Sequence, residues 1–110
     1  MKEIKNVAEL NQALKQDKPI LLDFYANWCG PCRILLPTVE RLSEKYNDDF
    51  QFFKINVDSN QELAQQFGVR SIPSLFFIQD GEVQENVVGV MSETGLDAKI
   101  QHYIQANTLT

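Results

Sequence analysis

The chain carries its only two cysteines three positions apart, in the string Trp28-Cys29-Gly30-Pro31-Cys32. An apolar run precedes this string and an amphipathic segment follows it, which predicts a strand leading into a helix. The first sulfur then lies beside the free N–H groups and the positive end of the helix dipole, and both favour the thiolate. Cys29 is therefore the expected nucleophile. Cys32, one helical turn further on, should be less exposed and is placed to attack a mixed disulfide on Cys29.

A second candidate is a carboxylate, Asp23, embedded in the apolar run of residues 20–26. Burial would remove its hydration and raise its pKa, as a proton-transfer group requires. The alternative is an aspartate at a strand end whose side chain reaches water. Lys54, taken alone, is typical of a surface lysine whose stem covers apolar neighbours. A metal site is not expected, because zinc needs four ligands and His102, a solvated helix residue by its position, is the only histidine.

Two predicted helices flank the apolar run. Asn6 with Glu9 resembles a capping box and indicates the start of the first helix. Pro31 fits position N1 of the second helix, which follows the cysteines. Pro37 lies inside this helix, where it removes one backbone hydrogen bond and predicts a kink.

Two further helices are predicted downstream. Ser59 with Glu62 makes a second capping box, ahead of a short helix that ends at Gly68. An apolar stripe from Leu96 to Ile104 predicts the closing helix.

Strands are predicted at residues 20–26, 50–57, 74–79 and 82–88. The first is apolar on both faces, as in a central parallel strand. The last two form a hairpin, because Asp80-Gly81 suits the positive φ angles of a type I′ turn. The order α-β-α-β-α-β-β-α predicts one α/β domain over residues 1–110, with a central mixed β-sheet flanked by helices on both faces.

The charge balance disfavours several kinds of partner. The chain has 15 acidic and 10 basic residues, a net charge of −5, and its basic residues are scattered. Nucleic acid is therefore not an expected partner. The apolar runs are far shorter than the roughly 20 residues that span a bilayer, and residues 1–10 lack the apolar core of an export signal. We therefore expect no membrane partner and a cytoplasmic setting, where thiols stay reduced.

The string from Asp23 to Cys32 closely resembles the active-site segment of the thioredoxin family. The resemblance extends over almost the whole chain, and Gly30-Pro31 between the cysteines is typical of the family's reducing branch. Further matching segments are Ser71-Ile72-Pro73-Ser74, Asp80-Gly81 and Val88-Gly89-Val90.

This resemblance implies a thioredoxin fold and a general protein dithiol–disulfide oxidoreductase. Cys29 would attack a target disulfide, and Cys32 would resolve the mixed disulfide to give a reversible Cys29–Cys32 couple. Thioredoxin reductase would recharge the couple from NADPH through a flavin, so the chain itself should bind no cofactor. The implied partners are that reductase and disulfide-containing target proteins, with the chain itself a monomer.

The resemblance also implies roles for other residues. Asp23 would be a buried proton acceptor and donor, with Lys54 as the neighbour that modulates it. Ile72 would offer its backbone to a target strand ahead of a cis Pro73. The implied docking surface consists of Trp28, Ile72, Pro73, Val88, Gly89 and Val90.

Three residues depart from the common family pattern: Tyr25 for tryptophan, Arg33 for lysine, and Ser71 for glycine or threonine. They bear on partner preference and local packing rather than on the catalytic groups.

Alternative interpretations remain open at this point. Trp28 could be a core residue, and Pro73 could be a trans proline at a strand edge. The function could be that of a more specialised oxidant or isomerase. It could also be that of a binding module with incidental thiols, which would keep its function if both cysteines were serine.

Overall fold

Five strands and four helices lie along residues 1–109, the part of the chain that the computed structural model describes. The strands are β1 (Lys2–Glu3), β2 (Ile20–Tyr25), β3 (Gln51–Asn56), β4 (Ser74–Gln79) and β5 (Glu82–Val88). The helices are α1 (Val7–Leu14), α2 (Gly30–Lys45), α3 (Gln61–Gln66) and α4 (Glu93–Leu109). None of these helices is both long enough and apolar enough to cross a membrane.

The strands form one mixed sheet in the order β1-β3-β2-β4-β5. The central strand β2 runs parallel to β3 and antiparallel to β4, and all of its residues are buried. One face of the sheet packs with α2 and α4, and the other with α1 and α3. The α/β class, the buried central strand and the helices on both faces are therefore as the sequence predicted.

The strand β1 is absent from the sequence prediction, which began with a helix. It pairs parallel with β3, with Lys2 opposite Phe53 and Glu3 opposite Lys54. Two residues are too few to show a period in the sequence. Pairing with a strand some 50 residues away along the chain defines this element.

The predicted hairpin is confirmed at its turn. Asp80 has a φ of 55° and Gly81 a φ of 78°, and a type I′ turn requires positive φ at both central residues. β4 and β5 pair antiparallel on either side, with a register shift between Phe77 and Ile78.

The capping predictions have different outcomes at α1 and α3. The Asn6 side chain accepts a hydrogen bond from the Glu9 N–H at 2.8 Å, as predicted. The capping box predicted at Ser59 is wrong, because α3 begins one residue later, with Asn60 as its N-cap. The Asn60 side chain does not cap the helix and instead donates to the Asn56 carbonyl oxygen at 3.1 Å.

The helix α2 continues through Pro37 up to Lys45, and the kink near Pro37 stays a prediction. Side chains near its C-terminus contact α4. Lys45 forms an ion pair with Asp97 at 2.7 Å, and the Tyr46 hydroxyl donates to the same carboxylate at 2.6 Å. These contacts connect the helix that begins at the cysteines to the closing helix.

Candidate active site

The two cysteines form a disulfide at the start of α2, with their Cα atoms 5.2 Å apart. Cys29 is the N-cap of the helix, and its Sγ accepts a hydrogen bond from the Cys32 N–H at 3.2 Å. Gly30 is thus the first helical residue, and the prediction of Pro31 at that position is wrong by one residue. The second position suits proline equally, because the first N–H groups of a helix have no partner within it.

The two cysteines differ in position more than in exposure. Cys29 is 4% exposed and Cys32 is 3% exposed, so the expected difference in accessibility is negligible in the disulfide form. The sulfur of Cys29 caps the helix, where backbone N–H groups and the helix dipole stabilise a thiolate. Cys32 lies one turn inside the helix.

The loop before β4 faces the cysteines. The Ile72–Pro73 bond is cis, so the alternative of a trans proline is wrong. The Sγ of Cys29 lies 3.8 Å from the Ile72 carbonyl oxygen. The Pro73 carbonyl oxygen accepts from the Gly89 N–H at 2.9 Å, and this bond joins the loop to the residue after β5. The family resemblance assigned Pro73 and Gly89 to one docking surface, and this hydrogen bond shows that they are neighbours in space.

Exposed apolar side chains lie next to Cys29 in the sequence and at the C-terminal end of β5. Trp28 is 68% exposed, so its interpretation as a core residue is wrong. Its indole N–H donates to the Asp58 carboxylate at 2.9 Å, which orients the ring. Val88 and Val90, also exposed, lie on either side of Gly89. Trp28 and Ile72 further contribute to a small cleft of about 150 Å³.

Two further residues, Ile34 and Asp58, lie close to the site in sequence or contact it, and the sequence did not single them out. Ile34 is 68% exposed and lies two positions after Cys32, on the side of α2 that does not pack on the sheet. Ile34 lies outside the apolar stripe of this amphipathic helix, and this feature of the sequence could have indicated an exposed contact residue. Asp58 had no local signal, because its partner Trp28 is 30 positions away.

Asp23 lies in the middle of the central strand and is 1% exposed, so the alternative of a carboxylate that reaches water is wrong. Its Oδ1 atom has no hydrogen-bond partner among the described residues. Burial raises the pKa of Asp23 from 3.8 to about 7, and the positive charge of Lys54 opposes part of this rise. The carboxyl group can therefore gain or lose a proton near neutral pH.

Lys54 is the register partner of Asp23 on the neighbouring parallel strand. The residue is half-buried, and its ammonium nitrogen lies 5.5 Å from the centre of the Tyr25 ring. A half-buried side chain agrees with the expected lysine whose stem covers apolar neighbours, and its register places it beside Asp23. The positive charge of Lys54 favours the ionised form of Asp23, because it lowers the pKa of that carboxyl group.

His102 is exposed on α4 and stacks edge-on against Tyr103. Across residues 1–109, no group of three or more histidine, cysteine, aspartate or glutamate side chains could hold a metal ion.

A cysteine pair that opens and closes as a disulfide exchanges two electrons with another disulfide or dithiol. Carried at a helix start beside the central strand of a mixed sheet, this pair defines a dithiol–disulfide oxidoreductase with a thioredoxin fold.

Comparisons with known proteins agree with that class. The thioredoxin family model matches residues 2–102. A thioredoxin of Mycoplasmoides gallisepticum is 42% identical over 96 residues, which are 87% of this chain and 95% of that protein. A thioredoxin of Porphyra purpurea is 34% identical over 93% of this chain and 95% of its own length.

Solved structures show the same fold. A mutant thioredoxin from Halobacterium salinarum superposes with a TM-score of 0.88 at 42% identity, over 94% of this chain and 89% of that one. A thioredoxin of Malassezia sympodialis gives a TM-score of 0.87 at 31% identity, over 94% and 90% of the two chains. The chain belongs to the thioredoxin family, and it is a protein-disulfide reductase.

Proposed function

We propose that Cys29 begins and Cys32 completes the reduction of disulfides in target proteins, with reducing equivalents that come from NADPH through a flavin-containing thioredoxin reductase. The observation that supports these roles is the place of Cys29 as the N-cap of α2. Its sulfur is positioned where a thiolate is stabilised, beside the Cys32 N–H.

The reaction consists of two successive thiol–disulfide exchanges. The Cys29 thiolate attacks one sulfur of the target disulfide, the target S–S bond breaks, and the released target thiolate takes up a proton. Cys32 then loses its proton and attacks the Cys29 sulfur. The second target sulfur leaves as a thiolate, the Cys29–Cys32 bond forms, and two electrons have passed to the target.

We assign Asp23 as the group that accepts the proton of Cys32. Its strand leads directly into the cysteine segment, and it lies on the face of the sheet that packs against α2. Because its pKa is about 7, the carboxyl group is partly ionised at neutral pH and can accept a proton. Lys54 modulates this group by favouring its ionised form.

The proposed docking surface is the predicted set of Trp28, Ile72, Pro73, Val88, Gly89 and Val90. Its exposed apolar side chains fit a partner that buries them on contact. The Ile72 carbonyl oxygen, 3.8 Å from the Cys29 sulfur, is available to a strand of the target that pairs with the backbone there. Such pairing would hold the target disulfide next to the nucleophile.

The proposed setting is a cytoplasm in which a reductase keeps the cysteine pair reduced. A dithiol can donate electrons repeatedly only where its disulfide form is reduced again, and the cytoplasm keeps thiols reduced. The proposed partners are thioredoxin reductase and disulfide-containing proteins, and the protein would act as a monomer without a bound cofactor.

A trapping experiment tests the two cysteine roles. Cys32→Ser should accumulate a mixed disulfide between Cys29 and a disulfide-containing target, whereas Cys29→Ser should accumulate none. A mixed disulfide on Cys32 in the second variant, with none on Cys29 in the first, would reverse the assignment.

The reduction potential separates a reductase from an oxidant or an isomerase. Thioredoxins have reduction potentials of about −270 mV. A potential near this value, measured against a thiol–disulfide buffer through Trp28 fluorescence, supports the reductase. A value of about −120 to −180 mV would instead indicate an oxidant or an isomerase.

A further inference from the structure

Three charged residues stand side by side across the sheet. Glu3 on β1 and Asp23 on β2 are both register partners of Lys54 on the strand between them, β3. Side chains at opposed positions of neighbouring strands project from the same face of the sheet. The single cation in this row is thus flanked by two carboxyl groups, one buried and one half-buried.

Tyr25 joins this row from β2. It lies two positions after Asp23, so the two side chains share a face. Its hydroxyl donates to the Glu3 Oε1 atom at 2.7 Å, and its ring lies 5.5 Å from the Lys54 ammonium nitrogen. Tyr25 therefore contacts both the outer carboxylate and the cation.

We propose that Tyr25 and Glu3 are positioning residues for Asp23, because together they control how much of the Lys54 charge Asp23 experiences. This inference rests on the proposed role of Asp23 as the proton acceptor for Cys32. The Glu3 carboxylate competes with Asp23 for one cation. The Tyr25 hydroxyl occupies a Glu3 oxygen and limits that competition, while the Tyr25 ring holds the ammonium group in place.

The identity of residue 25 matters for this arrangement. The phenol hydroxyl is the donor that makes this contact, and phenylalanine at the same position would offer none. In this chain the hydroxyl reaches across the sheet to β1, an element of two residues. Strand register places Glu3 beside Lys54, and the hydrogen bond from Tyr25 occupies one oxygen of that carboxylate.

The titratable groups facing this row come from four elements. They are Glu3 on β1, Asp23 and Tyr25 on β2, Lys54 on β3, and the cysteine pair at the start of α2. On the β4 side, the register partner of Asp23 is the apolar Leu75. In the oxidised protein the cysteines do not titrate, so the pKa of Asp23 can be measured without interference from them.

The test is a carbon-13 NMR titration of the Asp23 side chain in the oxidised protein. Glu3→Gln keeps an acceptor for the Tyr25 hydroxyl but removes the competing charge, so the pKa of Asp23 should fall by about 0.5 to 1 unit. Tyr25→Phe frees the Glu3 carboxylate to draw Lys54 away, so the pKa of Asp23 should rise. In the Glu3→Gln background, Tyr25→Phe should have no further effect.

A matched control is available elsewhere in the chain. The Tyr103 hydroxyl donates to Glu85 at 2.6 Å, and Lys99 pairs with the same carboxylate at 2.8 Å. Tyr103→Phe removes the same kind of bond from a tyrosine, glutamate and lysine group that does not include Asp23. It should leave the pKa of Asp23 unchanged, which separates a specific effect from a general loosening of the fold.

The inference is overturned if Glu3→Gln leaves the Asp23 titration where it is in the unmodified protein, or if Tyr103→Phe shifts it as much as Tyr25→Phe does. The proposed role of Asp23 is tested separately by the pH profile of the Cys32 step. If the pKa shifts but that profile does not follow, the positioning stands and the proton-acceptor role fails. If the pKa does not shift while Asp23→Asn still slows the Cys32 step, the positioning fails and the role stands.

Discussion

Asp23 and Lys54 are direct register partners on the parallel strands β2 and β3, and the pKa of Asp23 is nevertheless raised to about 7. Burial of the carboxyl group outweighs the favourable charge of its neighbour. Its Oδ1 atom has no hydrogen-bond partner among the residues that the structure describes. The central strand thus carries an acid whose protonation changes near neutral pH, and two predictions depend on it.

Asp23→Asn should slow the attack of Cys32 on the mixed disulfide by about a hundredfold at pH 7, because asparagine cannot accept the Cys32 proton. The initial attack by Cys29 should change by less than about threefold, since it starts from a thiolate that the helix N-terminus stabilises. Single-turnover kinetics with a labelled protein disulfide resolve the two steps. Equal slowing of both steps, or of neither, would contradict the proton-acceptor role.

The same variant should change the pH dependence of stability. The pKa of Asp23 is 3.8 in the unfolded reference and about 7 in the folded protein, so the folded state holds the proton more tightly. The stability due to the protonated carboxyl is fully present below pH 4 and is lost as the pH rises through 7. The free energy of unfolding of Asp23→Asn minus that of the unmodified protein should therefore grow by on the order of 4 kcal/mol between pH 4 and pH 9.

Urea unfolding of both oxidised proteins across this range measures that difference. The asparagine amide needs hydrogen-bond partners of its own, which shifts the free energy of unfolding at every pH. The comparison therefore concerns how the difference in this free energy changes with pH. Parallel stability curves for the two proteins would show that Asp23 has an ordinary pKa.

The docking surface can be tested with two valines of the same strand. Val88 is 57% exposed at the end of β5 next to Gly89, and Val83 is 50% exposed near the hairpin turn at the other end. Val88→Ser should raise the KM for a protein disulfide about fivefold, because the complex would lose roughly 1 kcal/mol of apolar burial. Val83→Ser should leave this KM unchanged.

A small disulfide compound serves as the control substrate, because it is too small to cover Val88. The rate with this compound should be the same for the unmodified protein and for both variants. An equal rise in KM for Val83→Ser and Val88→Ser would show that targets do not dock at the end of β5.

Two glycines of the site should respond differently to alanine. Gly89 has a φ of 96°, in the region that residues with a side chain rarely adopt, although a Cβ atom there would meet no neighbour within 4 Å. Gly89→Ala should therefore lower the free energy of unfolding by about 1–2 kcal/mol through backbone strain. Gly30 begins a helix, also has open space, and should tolerate alanine within about 0.5 kcal/mol.

Chemical denaturation of the two oxidised variants measures this contrast. If both substitutions cost the same, the conformation of Gly89 does not require glycine.

The sequence was informative wherever the signal is local. The apolar run around Asp23 predicts a central strand, the pair Asp80-Gly81 predicts the hairpin turn, and the cysteine spacing at a helix start predicts thiol chemistry. Each of these signals depends on neighbouring residues whose backbone preferences and periodicity act without the rest of the fold. The prediction at Ser59 was wrong by one residue, and the Asn60 side chain at the N-cap bonds to Asn56 on the preceding strand instead of capping the helix.

Tertiary structure alone decided the contacts between distant residues. No local pattern connects Glu3 to Tyr25, or Trp28 to Asp58, since 22 and 30 positions separate the partners. Strand order and register bring such residues within hydrogen-bonding distance, and register depends on how the whole sheet packs against its helices. The sequence by itself therefore determined the chemistry of the cysteine pair, whereas the packed sheet determined the electrostatic surroundings of Asp23.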